Sequence, residues 1–153
     1  MSQFAEIEVL PDPLRHRAYY ADIPAKRLFA WMIDTVLIAF LTAVLVPFTG
    51  FLALFFLGGL YLVVSFVFRW ATIARMSATP GMALMGIELR DARGRRFDAG
   101  MALIHTLAYS ISVAFVLPQI LSVALMLISA RKQGLTDHVL GSVALNRRPD
   151  WAL

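Results

Sequence analysis

The stretch KRLFAWMIDTVLIAFLTAVLVPF, Lys26–Phe48, decides the fold. From Leu28 onward it holds one charged residue, Asp34. The run is long enough to cross the apolar core of a bilayer, which takes about 20 residues of helix. Lys26 and Arg27 stand directly before it, as anchors at a membrane surface do. A second, shorter apolar run, Phe51–Phe68, follows after the uncharged link Pro47-Phe48-Thr49-Gly50. The rest of the chain agrees: of its 153 residues 59% are hydrophobic, and its mean hydropathy of +0.72 is far above that of a soluble domain. The lipid bilayer is the first partner expected.

Composition narrows the classes further. The first apolar run is too long for a signal-peptide core, so no cleavable signal is expected. Cysteine is absent, which excludes disulfides and thiolate metal sites. The net charge of +4 comes from basic residues that flank apolar runs without interleaved aromatics, so no nucleic-acid partner is expected. There is no nucleophile–base set, phosphate-cradling glycine loop or metal-ligand cluster, so neither an enzyme nor a cofactor is expected.

The basic residues also orient the chain. They gather at Arg15–Arg27, at Arg69–Arg96, at Arg131-Lys132 and at Arg147-Arg148. The positive-inside rule places all of these in the cytoplasm, with both termini, and the Thr49-Gly50 turn outside. The apolar stretch Met101–Ala130 would be about 45 Å long as one helix, well beyond a bilayer core. A single crossing would also put the last basic groups outside. Pro118 in Leu117-Pro118-Gln119 breaks it into a hairpin, about 101–116 and 120–130, either as two crossings or as a re-entrant or interfacial hairpin.

Between the second and third spans, Ile87 and Leu89 alternate with Glu88 and Arg90, and Asp91-Ala92-Arg93-Gly94 has turn chemistry. A β-hairpin is expected there, to which Gly141–Asn146 can add a strand. The expected fold is therefore an all-α transmembrane bundle of two long spans plus a short third and fourth helical hairpin, with a small cytoplasmic β-hairpin. Its parts are an N-terminal segment 1–26, a membrane domain 27–145 with spans near 28–48, 51–68, 101–116 and 120–130 around a cytoplasmic loop 69–100, and a tail 146–153.

Asp34 needs a partner, because a charge at mid-helix costs about 2.5–3.5 kcal/mol on insertion scales. Arg27 shares its helix face but lies about 10 Å away and leans toward the N-terminus. Folding back at Thr49-Gly50 brings Ser65 level with Asp34 and Arg69 one turn away, with the guanidinium leaning toward the carboxylate. Gly58, Tyr61, Ser65 and Arg69 form a small and polar strip; His105, Tyr109 and Ser112 form another on the third segment. The three faces are expected to meet around Asp34, and Asp137 is expected to dock on Arg27.

An arginine starting the first helix, an aspartate seven residues on, TPGMALMGIELRDARG after the second helix and RKQGLTDHVLGSVAL near the end together resemble the RDD family of small integral membrane proteins. The arginine and two aspartates that name the family fall on Arg27, Asp34 and Asp137. Met82 stands where members often carry a basic residue, and Thr136 stands where many have histidine. The resemblance implies a bacterial inner-membrane protein with a suggested transport role. Two functions follow as expectations. One is an ion or proton-coupled transporter in which Asp34, beside Arg69 or His105, binds a monovalent cation or proton. Four short segments cannot enclose a path, so it would be a homo-oligomer or work with a heteromeric membrane partner. The other is a non-transporting accessory or assembly protein, whose basic cytoplasmic face binds a partner or anionic lipid.

Overall fold

The computed structural model describes residues 10–147. The expected cytoplasmic position of the two termini falls on residues outside that range. Helix α1 (Ile23–Phe48) and helix α2 (Leu57–Met76) are each long and apolar enough to cross a membrane. A 3-10 turn, Leu52–Phe56, separates them. Then come a short helix α3 (Pro80–Leu84), strand β1 (Ile87–Arg90), α4 (Ala99–Ala114), α5 (Val116–Ile128), α6 (Leu135–Leu140) and strand β2 (Val143–Asn146).

Two boundaries differ from the sequence expectation in ways that matter. The second apolar helix runs from Leu57 to Met76, not from 51 to 68. The 3-10 turn delays its start, and it is the Arg69 side chain that reaches Asp34. Its end passes Arg69 because the charge there is buried against other groups and does not stop the helix. The chain expected to be a loop from residue 69 thus holds the last turns of α2, α3 and β1.

The break in Met101–Ala130 falls at Phe115, ahead of the expected Leu117–Gln119. Pro118 cannot bond the Ala114 carbonyl, which ends α4, and proline is tolerated in the first turn of the helix that follows. The axis bends by 114° between α4 and α5. With 13 residues α5 is about 20 Å long, too short to cross a bilayer core.

The expected β-hairpin is reduced to one bridge, Arg90 to Arg96. Asp98 already caps α4 by accepting from the Met101 N–H, so the return strand has no length. β1 pairs with β2 instead, antiparallel, with Ile87 opposite Asn146 and Arg90 opposite Val143.

The buried apolar core lies at one end of the molecule. It joins the start of α1 (Ile23, Ala30) to the end of α2 (Ile73), to Met82, to the sheet (Ile87, Leu89, Ala144) and to the start of α4 (Ala102). Ser77, at the end of α2, stitches this end together: its hydroxyl donates to Leu89 O at 2.6 Å and accepts from the Phe97 N–H at 2.8 Å. Lys26 donates to Asn146 at the end of β2, and Asn146 donates to Ala18 O and Ala21 O. The opposite end of α1 and α2 is bare apolar surface, with Phe48 83% and Phe55 82% exposed.

Candidate functional site

Two buried acids organise the charged end. Asp34 is 1% exposed on α1. Its Oδ2 accepts from the Thr79 hydroxyl at 2.5 Å and its Oδ1 from the Gly81 N–H at 2.8 Å. Thr79 is the N-cap of α3 and also accepts from the Met82 N–H, while Pro80 takes the first helical position without needing a partner. The hydroxyl is thus fixed, donating to the acid and accepting from the helix. Gly81 is required at its place: a Cβ there would stand 2.2 Å from Ala30 O.

Arg69 reaches the same acid from α2. Its guanidinium lies 3.7 Å from Asp34 Oδ2, beyond hydrogen-bond range, and 4.7 Å from the centre of the Tyr109 ring. The side chain is 8% exposed and its Nε has no hydrogen-bond partner among the described residues. Charge and a ring face hold this arginine, and its donors are left under-used.

Asp137, fully buried on α6, forms the second network. It pairs with Arg27. Its Oδ1 lies 3.3 Å from His105 Nε2 and accepts from the Ser142 hydroxyl at 2.9 Å; its Oδ2 accepts from the Gly134 N–H at 3.2 Å, the N3 acid reaching back across the first turn. A carboxylate only accepts, so His105 carries its proton on Nε2, and its buried Nδ1 has no partner among the described residues. Burial pushes the Asp137 carboxyl up, but the Arg27 charge beside it and the His105 bond outweigh this and hold it well below the usual carboxylate range.

A cavity of about 770 Å³ joins the two networks. Asp34, Arg69, Arg27, His105 and Tyr109 all line it, so the structure brings these sequence-selected residues to one place. Ser112 lines it too. Ser65 is half-buried and does not line it, and Gly58 is exposed with open space around it, so that strip supplies only Arg69. Sequence reasoning missed Thr79 and Gly81. The signal was Thr-Pro-Gly itself, an N-cap residue followed by an N1 proline, placed just after an apolar helix. It also missed Gln119 and Ser122, the polar face that α5 turns to the cavity. Ser122 accepts from the Leu135 N–H at 3.0 Å and so ties α5 to α6. No group of three or more metal-ligating side chains occurs among the described residues.

Replacing Thr79 by valine keeps its shape and removes both hydrogen bonds. Losing a buried bond to a charged group costs about 1.5–3 kcal/mol, so Thr79→Val should lower unfolding stability by that much, while Thr79→Ser should stay close to the parent. Equal unfolding midpoints for the valine and serine variants would contradict this role.

No curated protein and no solved structure matches the chain. One family model does, over residues 23–141, from the first residue of α1 to the glycine that closes α6. With that match covering most of its length, Arg27, Asp34 and Asp137 included, the chain belongs to the RDD family.

Proposed function

We propose that the chain is a small integral membrane protein that binds an anionic solute in the cavity between α1, α2, α4 and α5, as a step in transport. The observation that carries the reading is Arg69. It is a buried, permanently charged group on the cavity wall whose counter-ion stands out of hydrogen-bond reach. Such a group is costly to bury, and an anion in the cavity would give it a hydrogen-bonded counter-charge. A monovalent cation at Asp34 would have to sit beside that guanidinium, so the geometry favours an anion over a cation. Asp34, held by Thr79 and Gly81, is the counter-charge that keeps Arg69 in place while the cavity is empty.

Two further observations support a membrane setting. Large apolar side chains stand exposed along α1, α2 and α4, among them Phe40, Leu62 and Ile111, and a surface of this extent calls for lipid cover. The basic residues and the sheet share one end, and the turn between α1 and α2 carries no charge. We place the charged end in the cytoplasm of a bacterial cell, facing inward across the inner membrane. Cysteine introduced at Phe55 should then react with an impermeant thiol reagent in intact cells, and cysteine at Arg93 should not. The reverse pattern would invert the orientation. Because α5 is too short to cross, a complete path would need a second copy or another membrane subunit.

Trp31 lines the cavity and reports on it. In phosphatidylcholine nanodiscs, with Trp70 and Trp151 replaced by phenylalanine, iodide should quench Trp31 several-fold more than caesium does, and Arg69→Gln should remove the difference. Stronger quenching by caesium would favour the cation reading. Equal, weak quenching would favour the accessory reading, which draws on the exposed Arg93 and Arg95 of the 91–96 turn as a surface for a partner or anionic lipid.

A further inference from the structure

We infer that the ligand of this cavity is an anionic amphiphile, a molecule with a phosphate or carboxylate head and one apolar chain, which enters sideways between α1 and α5. This rests on the anion-binding reading and adds the class of ligand. Its basis is the way polarity changes across the cavity. At the back stands Arg69, 7% exposed. At the mouth, Leu28 and Trp31 of α1 and Val123 and Leu127 of α5 line the cavity while remaining 57%, 45%, 46% and 58% exposed. Residues that border a cavity and the outer surface at once are its rim, and this rim is apolar on both sides.

Size and charge point the same way. The volume is that of a site for a molecule of several hundred daltons, and a lone small anion would leave most of it unfilled. The charged lining is Arg27, Arg69 and Lys132 against Asp22 and Asp34, an excess of one positive charge. Arg27 is already paired with Asp137 and Lys132 donates to Leu127 O, so Arg69 is the group left for the head. The chain would run along Val123 and Leu127, on a helix none of whose residues is buried. A free anion would gain nothing from an apolar rim, and a neutral lipid would gain nothing from Arg69.

The test uses the full chain in phosphatidylcholine nanodiscs, with radiolabelled hexadecyl phosphate as probe and empty nanodiscs as background. Binding should saturate at one probe per chain, and hexadecanol should compete at least about tenfold more weakly, the factor expected for one charge-assisted bond. Inorganic phosphate at millimolar concentration should not compete. Arg69→Gln should weaken binding by a similar factor. Val123→Trp fills the mouth without touching a charge, and should abolish binding while the thermal midpoint stays at that of the parent. Competition by inorganic phosphate as strong as that by hexadecyl phosphate would overturn the amphiphile and leave the anion-binding reading standing. So would absence of probe binding in protein that still shows the iodide preference of Trp31. Hexadecanol competing equally, or full binding by Val123→Trp, would also overturn the inference, the first by denying a head site and the second by placing the probe elsewhere. Loss of both probe binding and iodide preference would remove both readings.

Discussion

Gly81→Val should leave little folded protein under conditions where the parent chain is stable. The Cβ it adds falls 2.2 Å from Ala30 O and 2.9 Å from Asp34 Oδ1. Ala30 O belongs to the backbone of a long helix and cannot step aside as the tip of a side chain can. Helix α3 must therefore lift from α1, and in lifting it gives up the Gly81 and Thr79 bonds to Asp34. Overpacking costs about 1–3 kcal/mol, and each lost bond to a buried charge adds about 1.5–3, so a loss above about 4 kcal/mol is expected. Gly81→Ala should show the same sign. Gly59→Ala is the matched control, because a Cβ there meets nothing within 4 Å, and it should stay within about 0.5 kcal/mol of the parent. Unfolding in lipid or mild detergent, followed by helical signal, decides between them. A Gly81→Val chain that unfolds with the parent would show that α3 does not pack on α1.

The second large effect is expected at Asp137. Asp137→Asn leaves the Arg27 guanidinium without its counter-charge, and stranding one member of a buried pair typically costs about 3–5 kcal/mol. Arg27→Gln should cost a comparable amount, and the double variant should recover part of the sum, because the two share one interaction. The pH dependence follows from the same contact. The folded carboxyl is held below its unfolded value of about 3.9, so its contribution is fully present above that pH and fades as the pH falls further toward the folded value. Parent stability should therefore decline on acidification below about pH 4, and the Asp137→Asn chain should lack that part of the decline. Parallel acid profiles for the two chains, or additive losses in the double variant, would refute the pairing.

Much of this was legible in the sequence because it rests on apolar length and on charge cost. A run such as Leu28–Phe48 has few alternatives to a long helix, and Asp34 within it has to find a partner, which points to the arginine of the next helix. Arg69 does stand beside it, at 3.7 Å. The details that escaped are those that length and polarity do not encode. Thr79 and Gly81 bind Asp34 from a five-residue helix too short to show a period. The pairing of β1 with β2 joins segments far apart in the chain, and nothing local distinguishes it from a hairpin closing on Arg95–Phe97. The 3-10 turn Leu52–Phe56 is as apolar as the helices around it, so hydropathy ran through it and displaced the start of α2.

The long reach of the polar contacts sets an order in time. Asp34 bonds to Thr79, 45 residues further on; Arg27 pairs with Asp137 after 110 residues, and Lys26 meets Asn146 after 120. Chains are made from the N-terminus, so α1 leaves the ribosome with none of these partners yet in existence. Its acid is satisfied once α3 has been made and its arginine only after α6 has followed. A chain that stopped short of residue 137 would possess every long apolar helix and still carry Arg27 unpaired. The charge balance of the first helix is thus closed only from beyond the last apolar helix, after α5 has been made.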